Sequence, residues 1–139
     1  MKTDNFTIIN LLKVLNSYAD KRLPQKISYA ITRNIMTAEK EYNIYTEQLK
    51  RLISAYDQYL EKDDNGNLLM DENGMPKIND VTQKKLFTEE INDLLSIEVE
   101  IDLYLINEET FDYDDSDKYS SLKPVEIMQL QSILCIKGW

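Results

Sequence analysis

Between Glu89 and Asp117 the chain carries twelve carboxylates and no lysine or arginine. Three of them, Glu98, Glu100 and Asp102, alternate with Val99 and Ile101. In a strand those three would project from one face at intervals of about 6.6–7 Å. Carboxylates so placed can hold a hard cation such as magnesium or calcium, or attract a basic partner surface. They can also simply solvate a strand face and keep it from aggregating.

Other chemistry is scarce. The chain has no histidine, so Ser–His and Cys–His nucleophile pairs are excluded. The single cysteine, Cys135, excludes an internal disulfide or a multi-cysteine zinc site and reads as a small apolar core residue. No glycine-rich phosphate loop follows a strand. The inventory points to a protein that is not an enzyme and needs no cofactor. Arg33 and Asn34 could bind a partner's carboxylate or clamp the acidic strand from within. A weaker cation motif lies upstream: Glu61, Asp63, Asn65, Gly66, Asn67 and Glu72 fall at positions 1, 3, 5, 6, 7 and 12 of an EF-hand loop. Glu stands at position 1 where Asp is the rule, and Asn73-Gly74-Met75-Pro76 cannot start the exiting helix. An ordinary turn-rich hairpin is the expected structure, with no metal bound.

At 139 residues the sequence fits a single domain, 1–139, with a core that needs no disulfide. Charge is divided unevenly. Residues 1–60 hold nine Lys/Arg and six Asp/Glu, a net of +3, whereas residues 61–139 carry −12. Direct nucleic-acid binding is not expected at a net −9, although Lys13, Lys21, Arg22, Lys26 and Arg33 could form a local basic patch. No stretch approaches the ~18–20 apolar residues of a membrane span, and the start lacks a signal-peptide core.

The elements that must position these groups follow from periodicity. A first helix is expected over 6–19, capped by Asn5, with Ile8, Leu12 and Leu15 on one face. Pro24 opens a long helix over 24–62, which contains no internal proline or glycine. Ile31, Ile35, Ala38, Tyr42, Tyr45, Leu49, Leu52, Tyr56 and Tyr59 form a heptad seam along it. Buried tyrosine hydroxyls need partners, which favours cover by the chain's own helices over self-association, with the latter as the alternative. Tyr42 and Tyr45 are the seam residues most suited to contacting a partner. Asp63–Met70 and Asp71–Ile78 form an eight-residue near-duplication, and a hairpin insert is expected over 67–78. A helix over 80–95 is capped by Asp80, and a strand over 97–105 has one apolar and one acidic face. A polar, acidic loop with Phe111, Tyr113 and Tyr119 embedded in it then leads to a last helix over 124–133. The fold class is mainly α (α+β): a long central helix packed by shorter helices, with a small β-hairpin and one acidic amphipathic strand.

The order of motifs resembles a family of small acidic bacteriophage proteins of unknown function, from tailed phages and prophages of low-GC Gram-positive bacteria. The resemblance is carried by Lys21-x-Leu23-Pro24-x-Lys26-x-x-Tyr29-x-Ile31-x-Arg33-Asn34 and by two segments similar to Asp-x-x-Gly turns, Lys62–Gly66 and Asp71–Gly74. Glu89-Glu90-x-x-x-Leu94-Leu95-x-x-Glu98-Val99-x-Ile101 and Leu122-Lys123-Pro124-x-Glu126 extend it. Lys123 stands where the pattern has a capping Thr or Ser. The resemblance implies a phage origin and action in the host cytoplasm, or in the virion, and it supplies no activity or catalytic residues. The function to expect is accessory: binding a host defence or regulatory protein with a basic surface. Alternatives are a virion-assembly scaffold, chaperone or minor structural protein, and a DNA-mimic inhibitor.

Overall fold

The structure is a computed structural model in which residues 1–114 and 118–135 are described. Asp115 and Asp117 of the acidic run lie outside them. The spine is α2 (Gln25–Ala55), roughly 46 Å of helix. Three apolar clusters lie along it. Near its start, Ile27, Ala30 and Ile31 pack with Leu15, Tyr18, Leu23, Ile106, Phe111, Leu130 and Leu134. Ala38 then meets Ile8, Leu12 and Ile101. At the far end Tyr56 gathers Ile78, Phe87 and Ile91, flanked by Leu49 and Leu52. Apart from Tyr42, which is exposed, the heptad seam is therefore largely covered by α1 (Asn5–Asn16), α3 (Val81–Leu95), α4 (Pro124–Leu134) and the extended segment around Ile101. The fold is mainly helical, as the periodicity predicts, and the long helix is wrapped by shorter elements of its own chain.

Several boundaries differ from expectation, each for a physical reason. Asp4, not Asn5, caps α1: its carboxylate accepts from the Thr7 N–H at 2.8 Å. Asn5 is buried inside the first turn, where its amide donates to the Leu94 carbonyl at 2.9 Å and ties α1 to the end of α3. The long helix stops at Ala55 rather than Lys62. Tyr56 breaks it by turning its ring onto Phe87, 5.1 Å between centroids, while its hydroxyl donates to the Glu90 carboxylate. A short 3-10 turn, Asp57–Tyr59, follows.

The insert contains the expected hairpin, with Met70 bridged to Pro76, as one part of a larger closure. Three isolated antiparallel bridges, Lys62↔Leu68, Met70↔Pro76 and Leu60↔Ile78, close a triangle. Its inner backbone hydrogen bonds run in a ring: Leu69 N–H to Glu61 C=O, Lys77 N–H to Leu69 C=O, and Glu61 N–H to Lys77 C=O, all 2.9–3.0 Å. The steps from Glu61 to Leu69 and from Leu69 to Lys77 are eight residues each, and the third side closes back over both. In each turn an aspartate folds back on its own loop. Asp63 accepts from the N–H groups of Asn65 and Asn67, and Asp71 from those of Asn73 and Met75. Gly66 and Gly74 take the positive φ these turns demand, 82° and 78°. The duplication in the sequence is thus a structural repeat, and its geometry departs from an EF-hand loop. One Asp63 oxygen accepts from two backbone donors, no helix leaves the loop, and Asn67 and Glu72 belong to successive turns.

The acidic strand is shorter than its alternation. Only β2 (Glu98–Glu100) carries ladder pairing, and its antiparallel partner is β1 (Lys2–Asp4) at the chain start, in the register Lys2↔Glu100, Thr3↔Val99, Asp4↔Glu98. Beyond Ile101 the chain stays extended but leaves the sheet. Leu105 is exposed and Ile106 is buried in its place, forming a parallel bridge with Cys135. The stretch expected to be a loop is anchored there by a 3-10 turn, Glu108–Phe111, whose Phe111 enters the first core cluster. Pro124 opens α4 as expected, and Glu126 takes over part of the missing cap by accepting from the Lys123 N–H at 2.8 Å.

Candidate functional site

Val99, Ile101 and Leu103 face inward onto Ile8, Leu12, Ile35 and Ala38. That leaves Glu98, Glu100 and Asp102 on the opposite side, all exposed. The pairing with β1 adds residues no local pattern could reveal. Directly opposite residues of an antiparallel pair share a face, so Asp4 stands beside Glu98 and Lys2 beside Glu100. The Met1 backbone nitrogen also donates to Glu100 at 2.9 Å. The acidic face therefore has counter-charge close by in space, although none lies near it in sequence. Its most negative end is the Asp4–Glu98 pair. The Asp4 carboxyl is held below the usual carboxylate range, chiefly by the Thr7 backbone hydrogen bond. Among the described residues no three Asp, Glu or Cys side chains converge to hold a cation.

Arg33 does not clamp the acids. Its guanidinium lies 5.0 Å over the Tyr104 ring, and its Nη1 donates to the Tyr29 hydroxyl at 3.2 Å. Tyr29 and Tyr104 meet edge to face at 5.4 Å. The clamp is Asn34 alone. Fully buried, it donates to the Tyr104 carbonyl at 2.9 Å and accepts from the Tyr104 N–H at 2.7 Å. In this way α2 fixes the extended chain two residues past Asp102, where no strand neighbour does so.

Tyr42 and Tyr45 part company. Tyr45 is 5 % exposed and Tyr42 39 %, with ring centroids 6.1 Å apart. Burial, with Tyr42 close by, pushes the Tyr45 phenol above its ordinary range. Tyr42 sits about 13 Å along the helix axis from Arg33, so the two do not form one compact site. What the structure assembles is an acidic face on β1–β2, bordered by the Tyr29–Arg33–Tyr104 cluster. Tyr29 was the legible member missed in the sequence, four residues before Arg33 on the same helical face. Tyr104 could not be foreseen without the Asn34 clamp.

The strongest coupling between polar side chains lies elsewhere. Glu90 accepts from the Tyr56 hydroxyl and pushes that phenol up to about 12, so it remains a protonated latch between α2 and α3. Cys135 is buried and its thiol is pushed up by desolvation, the setting of a core residue. No helix among the described residues is long and apolar enough to cross a membrane. Comparison with known proteins finds no matching family model, no similar curated protein and no similar solved structure.

Proposed function

We propose that this chain is a non-enzymatic phage accessory protein that binds another protein through its acidic face, the target being a host defence or regulatory factor with a basic surface. One observation supports this most. Glu98, Glu100 and Asp102 are exposed on a segment whose opposite face is packed onto α1 and α2, so the charges are displayed on a rigid support. Charge held in place steers encounter and fixes orientation better than charge on a loose tail. The motif resemblance supports the phage setting.

The alternatives draw less support. A scaffold that self-associates through the heptad seam would need that seam free, and the chain's own helices occupy it. A DNA mimic needs a long row of like charges, whereas the paired strand is three residues long and Lys2 stands opposite Glu100.

The test is capture from host lysate with wild type and with Glu98→Lys, Glu100→Lys. A partner retained by wild type, released as salt rises and lost by the variant supports the reading. Salt-independent retention that tolerates the charge reversal rejects it. Magnesium or calcium is expected to leave the melting temperature unchanged, and a clear rise abolished by the same substitutions would replace the partner with a cation.

A further inference from the structure

A second charged feature has the opposite sign. The turn between α1 and α2 and the segment 118–120 enclose a cleft of about 400 Å³ lined by Lys21, Arg22, Leu23, Gln25, Ser28, Lys118 and Tyr119. Three cations meet here in a chain whose net charge is −9. The two walls are joined: the Arg22 N–H donates to the Ser120 hydroxyl at 3.1 Å, and the Ser120 N–H to the Arg22 carbonyl at 2.7 Å. The cleft is therefore a fixed part of the fold. Leu23, 3 % exposed, contributes from the first core cluster, and Tyr119 is braced edge to face against Tyr113 at 5.5 Å.

The cations are poorly neutralised. Lys21 reaches Glu126 only at 3.9 Å, and among the described residues neither Arg22 nor Lys118 has a carboxylate within ion-pair distance. Like charges gathered in this way repel unless an anion joins them. The first turn of α2, which contributes Gln25 and Ser28, has neither an acidic residue nor a side-chain cap, so its positive end adds to the same field. The adjoining cleft on the other side of Gln25 sets Glu109 against Lys26 and has no such excess.

We propose that this cleft binds a small organic phosphate of nucleoside diphosphate type, with its phosphates on Lys21, Arg22 and Lys118 and its planar group against Tyr119. Three cations exceed what a single phosphate needs and match a diphosphate. The volume falls within the range of small-molecule sites, about 300–1,000 Å³. The Tyr119 ring gives the cleft an aromatic surface, which favours an organic ligand over a bare anion. A nucleic-acid strand would need a long basic track, and the chain as a whole carries a net charge of −9. This site is independent of the acidic face, so its failure leaves the partner reading untouched.

The experiment is calorimetric titration of the full chain with ADP, pyrophosphate, adenosine and a short single-stranded oligonucleotide. ADP should bind saturably, pyrophosphate more weakly and adenosine not at all. Arg22→Ser with Lys118→Ser should weaken ADP at least about tenfold with an unchanged melting temperature, since both side chains are exposed. Tyr119→Leu should weaken ADP while leaving pyrophosphate unaffected. Absence of saturable ADP binding up to roughly 1 mM overturns the proposal. So does ADP affinity unchanged in the double variant, or an oligonucleotide bound more tightly than ADP.

Discussion

The Asn34 side chain forms both hydrogen bonds that a neighbouring strand would give the backbone of Tyr104. A helix thereby stands in for a sheet edge. Replacing Asn34 with Ala or Leu leaves one peptide N–H and one C=O half-buried without partners. The expected loss is roughly 2–4 kcal/mol, because each such group costs about 1–3. Urea unfolding measures it, and a change under about 0.5 kcal/mol would show that water replaces the clamp without penalty.

The two seam tyrosines should respond differently. Tyr45→Ala removes a ring from a closed interior and is expected to cost roughly 2–4 kcal/mol. Tyr42→Ala acts on a more exposed ring and should stay within about 0.5 kcal/mol. Equal effects in thermal melts would mean that the seam is not covered as described.

Much of this was legible in the sequence, and the failures have a common cause. The seam along α2 and the inward set Val99, Ile101 and Leu103 follow from apolar spacing alone, because burial against any neighbour selects those positions. What spacing cannot show is which distant group completes a local one. Asp4 and Asn5 are both good caps, and the choice was made by the Leu94 carbonyl. The end of α2 has no glycine or proline to mark it and is set by Phe87 and Glu90. Lys2–Asp4 has no pattern of its own and is a strand only because β2 lies alongside. For the candidate site the three acids were legible and the Asp4 and Lys2 beside them were not. Arg33 was read as an ion-pair donor, yet the nearest π face, Tyr104, was brought to it by its neighbour Asn34.

Tyr56 gives a pH prediction. Its phenol ordinarily releases its proton near 10 and here does so at about 12, because Glu90 accepts from it. A group that holds its proton more tightly when folded stabilises the fold fully below its unfolded value, and that contribution is lost as pH rises through the folded value. Wild type should therefore lose stability relative to Tyr56→Phe between about pH 10 and 12. Absorbance titration should show a late-ionising tyrosine component, lost in Tyr56→Phe, that moves earlier in Glu90→Gln. Parallel stability curves for wild type and Tyr56→Phe would contradict the latch.

The turn glycines isolate a backbone cost. A Cβ on Gly66 or Gly74 meets nothing within 4 Å, so Gly→Ala is penalised only by the positive φ. Each substitution should cost roughly 1–2 kcal/mol, and Gly→Asn less, since asparagine tolerates that region better. Calorimetric melts of the two single variants and the pair, which sit in separate turns, should add. A cost near zero would mean that these turns relax to another type.

The bridge triangle also bears on how the chain can change length. Leu60 and Ile78 pair directly, so the end of the α2 segment and the approach to α3 are already side by side before any turn residue is counted. Residues Glu61 to Lys77 form a loop beyond that closure, anchored by Met75 packing back against the cluster of Tyr56, Phe87 and Ile91. A lineage could trim it to a tight turn or rewrite its two loops while Tyr56, Phe87 and Glu90 keep α2 and α3 locked. The insert is thus the part of this molecule freest to acquire new surface without refolding the rest.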